Sequence, residues 1–381
     1  MKTVYITGTS SFMPGEPVPN EQVEVLLGKI PNQPSRVKLF VLQNNGIKTR
    51  HYAIDPATGQ RTHTNAQLTA QAVRLLAEKL GVGLDQIDGL ACGTASPDQF
   101  MPSHSNMTAG ELKLGPCEVV STAGVCASGM TAFKYAWLNV ASGLRRNFVS
   151  TGSERASGFM RAKNYATMTN ELNAGDAAPM VSFEKEFLRW MLSDGAGAFM
   201  FEAEPRPDQL NLRVEFCDVE NYSGETPVCM YNGMNINKDG SYSFYHDEED
   251  PQDILRKGYL LLQQDVRALE AHMVRTGVAG LKVAETKFGV NWDEVDWFLP
   301  HLSSMYFRGR MDAGMREQGI NIPEEKWFTN LTYKGNVGSG SIYMILDELI
   351  TSGRAKKGQK IFLAVPESGR FTVAGALLTV V

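Results

Sequence analysis

Apolar positions recur along this chain in two arrangements, and each arrangement occurs twice. Over residues 65 to 80 they follow a helical period, and the pattern leads into the short apolar strand Gly89-Leu90-Ala91-Cys92. Residues 276 to 288 carry the same helical pattern and lead into Trp297-Phe298-Leu299-Pro300. Between helix and strand, Gly81, Val82, Asp85 and Asp88 reappear as Gly289, Val290, Asp293 and Asp296, each 208 positions later. A second echo lies downstream. Cys126 is followed 17 residues on by Gly143 and then by Phe148-Val149; Asn336 is followed 17 residues on by Gly353 and then by the apolar run 361 to 365. Two echoes in the same order at nearly the same offset predict a duplicated α/β unit.

Each half reads as strand, helix, strand, helix, strand, which predicts mixed or parallel sheets covered by helices. Two prolines in Glu204-Pro205-Arg206-Pro207-Asp208 place the junction there, giving an N-terminal unit of 1–205 and a C-terminal unit of 206–381. Two segments fall outside the repeat. Residues 157 to 190 are rich in Met and polar side chains, and residues 229 to 253 end in His246-Asp247-Glu248-Glu249-Asp250. Both are expected to be surface insertions that shape access to a site. The acidic run reads as a solvated loop rather than a ligand cluster.

Composition narrows the possibilities further. At 381 residues the chain has room for two domains with a substantial core, and 43% hydrophobic with 21% charged residues is ordinary for a soluble protein. A net charge of −5 gives no global attraction for nucleic acid. No stretch reaches the roughly 18 to 20 apolar residues needed to cross a bilayer, and the apolar run in Met1 to Gly8 is too short for a signal peptide. The five cysteines, at 92, 117, 126, 217 and 229, are odd in number and include no C-x-x-C pair. That argues against a disulfide framework or a metal site, so reduced thiols in a cytoplasmic protein are the expectation.

One of those thiols has a distinctive setting. Cys126 stands in Thr122-Ala123-Gly124-Val125-Cys126-Ala127-Ser128-Gly129-Met130, just before a helix that is apolar on most sides and so predicted to be buried. A helix N-terminus favours a thiolate, but only by about 0.3–2 kcal/mol, or roughly one pKa unit. Burial opposes that shift, so a second group is needed to activate the sulfur. His301 ends the strand 297–300, and Asn336 begins another small-residue helix as the repeat counterpart of Cys126. Two related halves packed together would bring Cys126, His301 and Asn336 to one centre. The glycine-rich run 335–340 lacks the G-x-G-x-x-G spacing of a dinucleotide site.

These residues carry a family resemblance over nearly the whole chain. Gly46 to His51, the Cys126 segment, Ser193 to Ala198, Asp296 to His301, Gly335-Asn336 and Ser368 to Thr372 resemble the β-ketoacyl-ACP synthase III branch of the thiolase-like superfamily. The resemblance implies an α/β thiolase-like fold, two pseudo-symmetric βαβαβαββ halves in a layered α-β-α-β-α core. It implies that Cys126 is acylated as a thioester, with the amides of Cys126 and Gly369 as the oxyanion hole. His301 and Asn336 would then hold the carbonyl of the second substrate. No cofactor is implied, the acyl groups arriving on the phosphopantetheine of acyl carrier protein or on coenzyme A to a homodimer.

The departures from the family pattern are specific. Ser368-Gly369-Arg370 stands where the family has three glycines before Phe371, which brings a charged side chain into a normally bare loop of the substrate pocket. Phe40 and Asn44 stand where housekeeping members have a Trp and an Arg for the adenine of coenzyme A. Met101 takes the position from which a partner subunit's Phe often closes the acyl pocket; its deformable side chain suits a longer acyl group. The departures resemble enzymes of dialkylresorcinol and flexirubin-type secondary metabolism. Those enzymes join two acyl-derived chains, one a β-ketoacyl thioester, and cyclise the product to a cyclohexanedione. The alternative is acyl transfer to an oxygen or nitrogen nucleophile at the same three residues. An acidic carrier protein would dock on local positive charge, with Arg308, Arg310, Arg316 and Lys334 as the candidates.

Overall fold

The computed structural model describes residues 1–30, 36–167 and 183–381. The strands of its first half are β1 (Tyr5–Phe12), β2 (Gly89–Thr94), β3 (Glu118–Ala123), β4 (Asn147–Glu154) and β5 (Gly195–Glu202). Those of the second are β6 (Leu212–Asn221), β7 (Trp297–Pro300), β8 (Lys360–Pro366) and β9 (Thr372–Val380). Hydrogen bonding orders them β7-β8-β9-β6-β1-β5-β4-β2-β3. The halves join edge to edge where Tyr5 faces Arg213 and Ile6 faces Leu212.

From its outer edge inward the first half runs third, second, fourth, fifth, first strand. The second half runs second, fourth, fifth, first, and its third strand is reduced to a parallel bridge between Phe298 and Trp327. That bridge is the Leu90–Val119 pair of the first half moved on by 208 residues, the offset of the sequence echo. The fold is thiolase-like, as expected.

The echoed residues turn out to be punctuation. Helix α2 (Asn65–Leu80) starts at Thr64, whose hydroxyl accepts from the Gln67 amide, and stops at Gly81 with φ 64°. Its counterpart α5 (Val266–Phe288) starts at Asp265, which accepts from the Arg267 and Ala268 amides, and stops at Gly289 with φ 68°. A left-handed stop of this kind is open to glycine at little cost. Asp88 accepts from the Arg146 amide just before β4, and Asp296 accepts from the Lys360 amide that opens β8. The helical pattern expected from residue 276 thus begins ten residues earlier, at the cap that Asp265 supplies.

Two helices lie between the halves. Helix α4 (Ala127–Ser142) packs on β2, β3, β4 and β5 of one half and on β6, β8 and β9 of the other. Helix α7 (Ser341–Thr351) packs on β1, β4 and β5 and on β7. Their apolar faces form the central core, with Phe133, Tyr343 and Leu346 all fully buried. Helix α2 with α3 (His104–Leu112) covers the first half from outside, and α5 with α6 (Tyr306–Glu317) covers the second. The order α-β-α-β-α follows.

The starts of α4 and α7 approach closely because the contacts are glycines. A Cβ on Gly129 would stand 2.4 Å from the Ser339 carbonyl oxygen, and one on Gly152 would stand 2.2 Å from it. Tyr343 seals the joint, its hydroxyl donating to the Gly129 carbonyl at 2.8 Å.

The first insertion differs from expectation, while the second lies at the surface as expected. Of 157–190, residues 168–182 lie outside the described residues, while Met160, Leu188, Arg189 and Trp190 at its ends are buried rather than on the surface. In 229–253 the strands Met234–Ile236 and Tyr242–Phe244 form a hairpin. Its acidic tail makes local contacts: Glu248 accepts from Lys257 and Tyr259, and Asp250 caps the helix Pro251–Arg256.

Candidate active site

Cys126 sits where β3 turns into α4. Gly124, at φ 146°, lets the chain reverse, and Cys126 takes the cap position of α4 with 5% of its surface exposed. The sequence reading credits this helix end with stabilising a thiolate. In the structure that capacity is already engaged. Glu367 Oε2 accepts from the amides of Val125 and Ala127, 3.2 Å each, on either side of Cys126. Burial pushes the Cys126 thiol well above its usual pKa, and the negative charges of Glu367 and Glu154 push the same way. The resting sulfur is therefore a thiol: burial outweighs the helix dipole, as the opposition between the two implied, and the carboxylate at the helix end adds to burial.

His301 closes β7, its amide donating to the Ala364 carbonyl at 2.8 Å across the strand pair. Its ring is buried, Nε2 has no partner among the described residues, and burial lowers its pKa to about 4. The imidazole is thus neutral near pH 7. Asn336 is pinned from three sides. Its amide donates to the Met191 carbonyl (3.1 Å), its carbonyl accepts from the Ser193 amide (2.8 Å), and its Oδ1 accepts from the Gly338 amide (2.8 Å). Fixing Oδ1 leaves Nδ2 as the donor free for a ligand.

Cys126 and Asn336 line one small cavity, with Ser303, Gly338 and Ser368 also in its wall. His301 is not in that wall; the chain enters the cavity two residues later, at Ser303. The cavity is flanked by a larger, more open one, bounded by Gly124, Glu367 and Gly369 and by the hairpin insertion through Met230 and Met234. On another side lies a groove of about 1160 Å³ between α1 (Arg36–Asn45) and the start of α6. Phe40, Asn44, Phe187, Glu270 and Tyr306 line it. Ser304, next to Ser303, brings the groove up to the Cys126 cavity.

The remaining expected residues fall in different places. The Gly369 amide is taken by no backbone or side-chain acceptor among the described residues, and the Cys126 amide is directed at its own sulfur. A Cβ on Gly369 would meet Glu367 Oε1 at 2.8 Å, so any larger residue there would have to displace the Glu367 carboxylate. Ser368 is in the cavity wall. Arg370 does not enter the loop: it is exposed at the rim of the larger cavity, its Nε donating to the Thr226 carbonyl at 3.2 Å. Phe371 is a core residue rather than a pocket wall, fully buried among Cys229, Leu269 and Phe307. Met101 is 85% exposed and lines none of these cavities.

Each proposed docking cation has an acid of its own chain beside it. Arg308 pairs with Glu324 (2.8 Å), Arg310 with Glu270, Arg316 with Asp312 (3.0 Å) and Lys334 with Glu348 (3.1 Å). Arg310 is nearest the groove, through Glu270 in its wall. Glu367 escaped the sequence reading altogether. Its signal was an acid directly after the apolar strand 361–366 and directly before the loop of Gly369.

Comparisons with known proteins bear on the fold and on family likeness. Residues 286–380 match the family described as 3-oxoacyl-[acyl-carrier-protein] synthase III C terminal. The chain is 24% identical over 379 residues to the β-ketoacyl-[acyl-carrier-protein] synthase III of Xanthomonas campestris pv. campestris, covering 99% of both chains. It is 22% identical over 373 residues to that of Hyphomonas neptunium, covering 98% of both. Among solved structures it superposes on Xanthomonas campestris OleA with bound lauric acid and lauroyl-CoA, with TM-score 0.75, 19% identity and 99% coverage of each. AbyA1, a tetronic acid condensing enzyme, gives TM-score 0.73, 21% identity and 99% coverage of each.

Proposed function

We propose, on the premise that the chain is a synthase III-like member of the thiolase-like superfamily and a condensing enzyme, that it joins two acyl chains on Cys126. The first chain is loaded on the Cys126 sulfur as a thioester. The second is a β-ketoacyl thioester, and the product is a dialkylresorcinol-type cyclohexanedione of secondary metabolism. The observation that supports this reading best is the meeting of Cys126 and Asn336 in one cavity between the two halves.

The chemistry follows from charge. Thioester attack by sulfur develops an oxyanion, and the untaken amide of Gly369 together with the amide of Cys126, which lies beside the sulfur, are donors suited to hold it. Condensation then needs an enolate on the second substrate. Asn336 Nδ2 and a neutral His301 are donors that stabilise enolate oxygen without adding a counter-charge in the ground state.

Delivery on the phosphopantetheine of an acyl carrier protein, or on coenzyme A, suits the groove that ends at Ser304. With Phe40 and Asn44 at its mouth, carrier delivery is favoured over adenine recognition, and Arg310 is the cation best placed to meet an acidic carrier. A homodimer would put the exposed Met101 of one protomer to use against its partner. One experiment tests function and assembly together: native mass, then product analysis after supplying pairs of acyl and β-ketoacyl thioesters. A dimer forming a C–C coupled product supports the proposal. An ester or amide product would establish acyl transfer to oxygen or nitrogen in its place.

A further inference from the structure

The condensation just proposed lacks a base. A second substrate that lost CO₂ would form its enolate unaided, but a β-ketoacyl thioester that keeps all its carbons must lose a proton from C2. His301 and Asn336 serve as donors, and the Cys126 sulfur is occupied by the acyl group. Two buried carboxylates stand near Cys126, and the structure separates them.

Glu154 is saturated. It accepts from the Ala95 amide (3.0 Å), the Ser96 hydroxyl (2.5 Å) and the Ser339 amide and hydroxyl (3.3 and 2.8 Å), so its oxygens tie the two halves together. Glu367 also takes four hydrogen bonds, from the amides of Val125, Ala127 and Arg370 and from the Thr372 hydroxyl, but it is differently placed. Its Oε2 bridges the amides of Val125 and Ala127 and so lies along the Cys126 peptide. It lines the larger cavity beside Val125 and Gly369, where a second chain would lie against the acylated sulfur. Burial raises its pKa above the usual carboxylate value, as it does for Glu154, so it is position and not base strength that sets the two apart.

We infer that Glu367 is the catalytic base that takes the C2 proton of the second, β-ketoacyl substrate, an assignment that rests on the function proposed above. The proton moves from C2 to a Glu367 oxygen and leaves the electron pair in the enolate. That pair attacks the Cys126 thioester carbonyl; the new C–C bond forms, the C–S bond breaks, and the sulfur departs as thiolate. The thiolate takes the proton from Glu367, which restores thiol and carboxylate for the next cycle. Charge is conserved throughout, because the carboxylate becomes neutral as the enolate forms. The pocket never holds two adjacent anions.

The test starts from acylated enzyme, so that loading and condensation are read apart. Wild type, Glu367→Gln and Glu367→Asp are each loaded to completion with an acyl thioester and checked by intact mass. A β-ketoacyl pantetheine thioester is then added and C–C coupled product is timed by rapid quench. Gln keeps an acceptor for the Val125 and Ala127 amides but no basic site. The expected result is a loaded E367Q that couples at least about 100-fold more slowly than wild type, with E367D recovering about tenfold of the loss. Coupling by E367Q within about threefold of wild type overturns the assignment, and so does equal slowing in both variants, which marks a positioning role. Should E367Q fail to load, E367D decides: coupling at full loading supports the base, and coupling below a hundredth of wild type overturns it. Wild type that loads but forms no coupled product overturns the proposed function, and this assignment with it.

Discussion

A neutral imidazole buried at His301 has consequences for stability that can be measured apart from activity. Its pKa is about 4 in the folded chain, against 6.5 as its ordinary value. Between those values the unfolded chain binds more protons, so the contribution is complete above about pH 6.5 and is lost as pH falls toward 4. At about 1.4 kcal/mol per unit this amounts to roughly 3 kcal/mol. Urea unfolding at pH 7.5 and 4.5 should show it as a difference between wild type and His301→Asn, the variant losing less stability on acidification. Buried carboxylates such as Glu154 and Glu367 titrate in both proteins and cancel in the comparison. Equal acid sensitivity in the two proteins would mean that His301 is hydrated or charged, and the neutral-donor role would be wrong. At this scale the sequence was legible for Cys126 and Asn336, because repeat position and small neighbours single them out. It was not legible for Glu367 or for the ion pairs of Arg308, Arg310 and Lys334. Glu367 depends on Val125 and Ala127, 240 residues or more away, and Arg308, Arg310 and Lys334 on partners outside their own helix, which no local pattern records. Only the Arg316–Asp312 pair, four residues apart on one helix, was open to a local reading.

Among elements, the decisive contact is the approach of α4 to the turn before α7. Gly129 and Gly152 both face the Ser339 carbonyl at distances no Cβ could occupy. Gly129→Ala should force the two helix starts apart. Overpacking of this kind costs about 1–3 kcal/mol and is felt beyond the substituted residue. The expected outcome is a lower urea midpoint together with lost acylation of Cys126, since the helix that carries the sulfur must move. Full stability and full acylation would show that the joint is compliant and that site geometry does not depend on it. The sequence announced this pairing only as an offset of 210 between Cys126 and Asn336. It announced the caps more directly: Gly81 and Gly289 stop their helices, and Asp88 and Asp296 hold the amides where the neighbouring strands begin. What it concealed was the vestigial third strand of the second half, because a single bridge at Trp327 leaves no periodic signal. Burial at the ends of 157–190 was concealed for a similar reason: Leu188-Arg189-Trp190 buries a guanidinium beside apolar neighbours, and its polarity reads as surface.

For the whole molecule, duplication accounts for both the fold and the location of its chemistry. Two halves with the same strand order bring matching helix starts together, and residues that differ between the copies meet there: Cys126 from one, Asn336 from the other. Around that meeting point lie three spaces, a small cavity at the sulfur, a larger one walled partly by the hairpin insertion, and a groove reaching the surface beside Phe40. Three such spaces among the described residues suit the condensation proposed above, in which an acyl chain on Cys126 meets a second thioester. The claim on which all of this depends is that Cys126 carries the acyl group. Wild type and Cys126→Ala should be incubated with a panel of acyl and β-ketoacyl thioesters and their intact masses recorded. An adduct of acyl mass on wild type, absent from the variant, is the result this account predicts. No adduct from any thioester, with Cys126 alkylated no faster than the other cysteines, would contradict it.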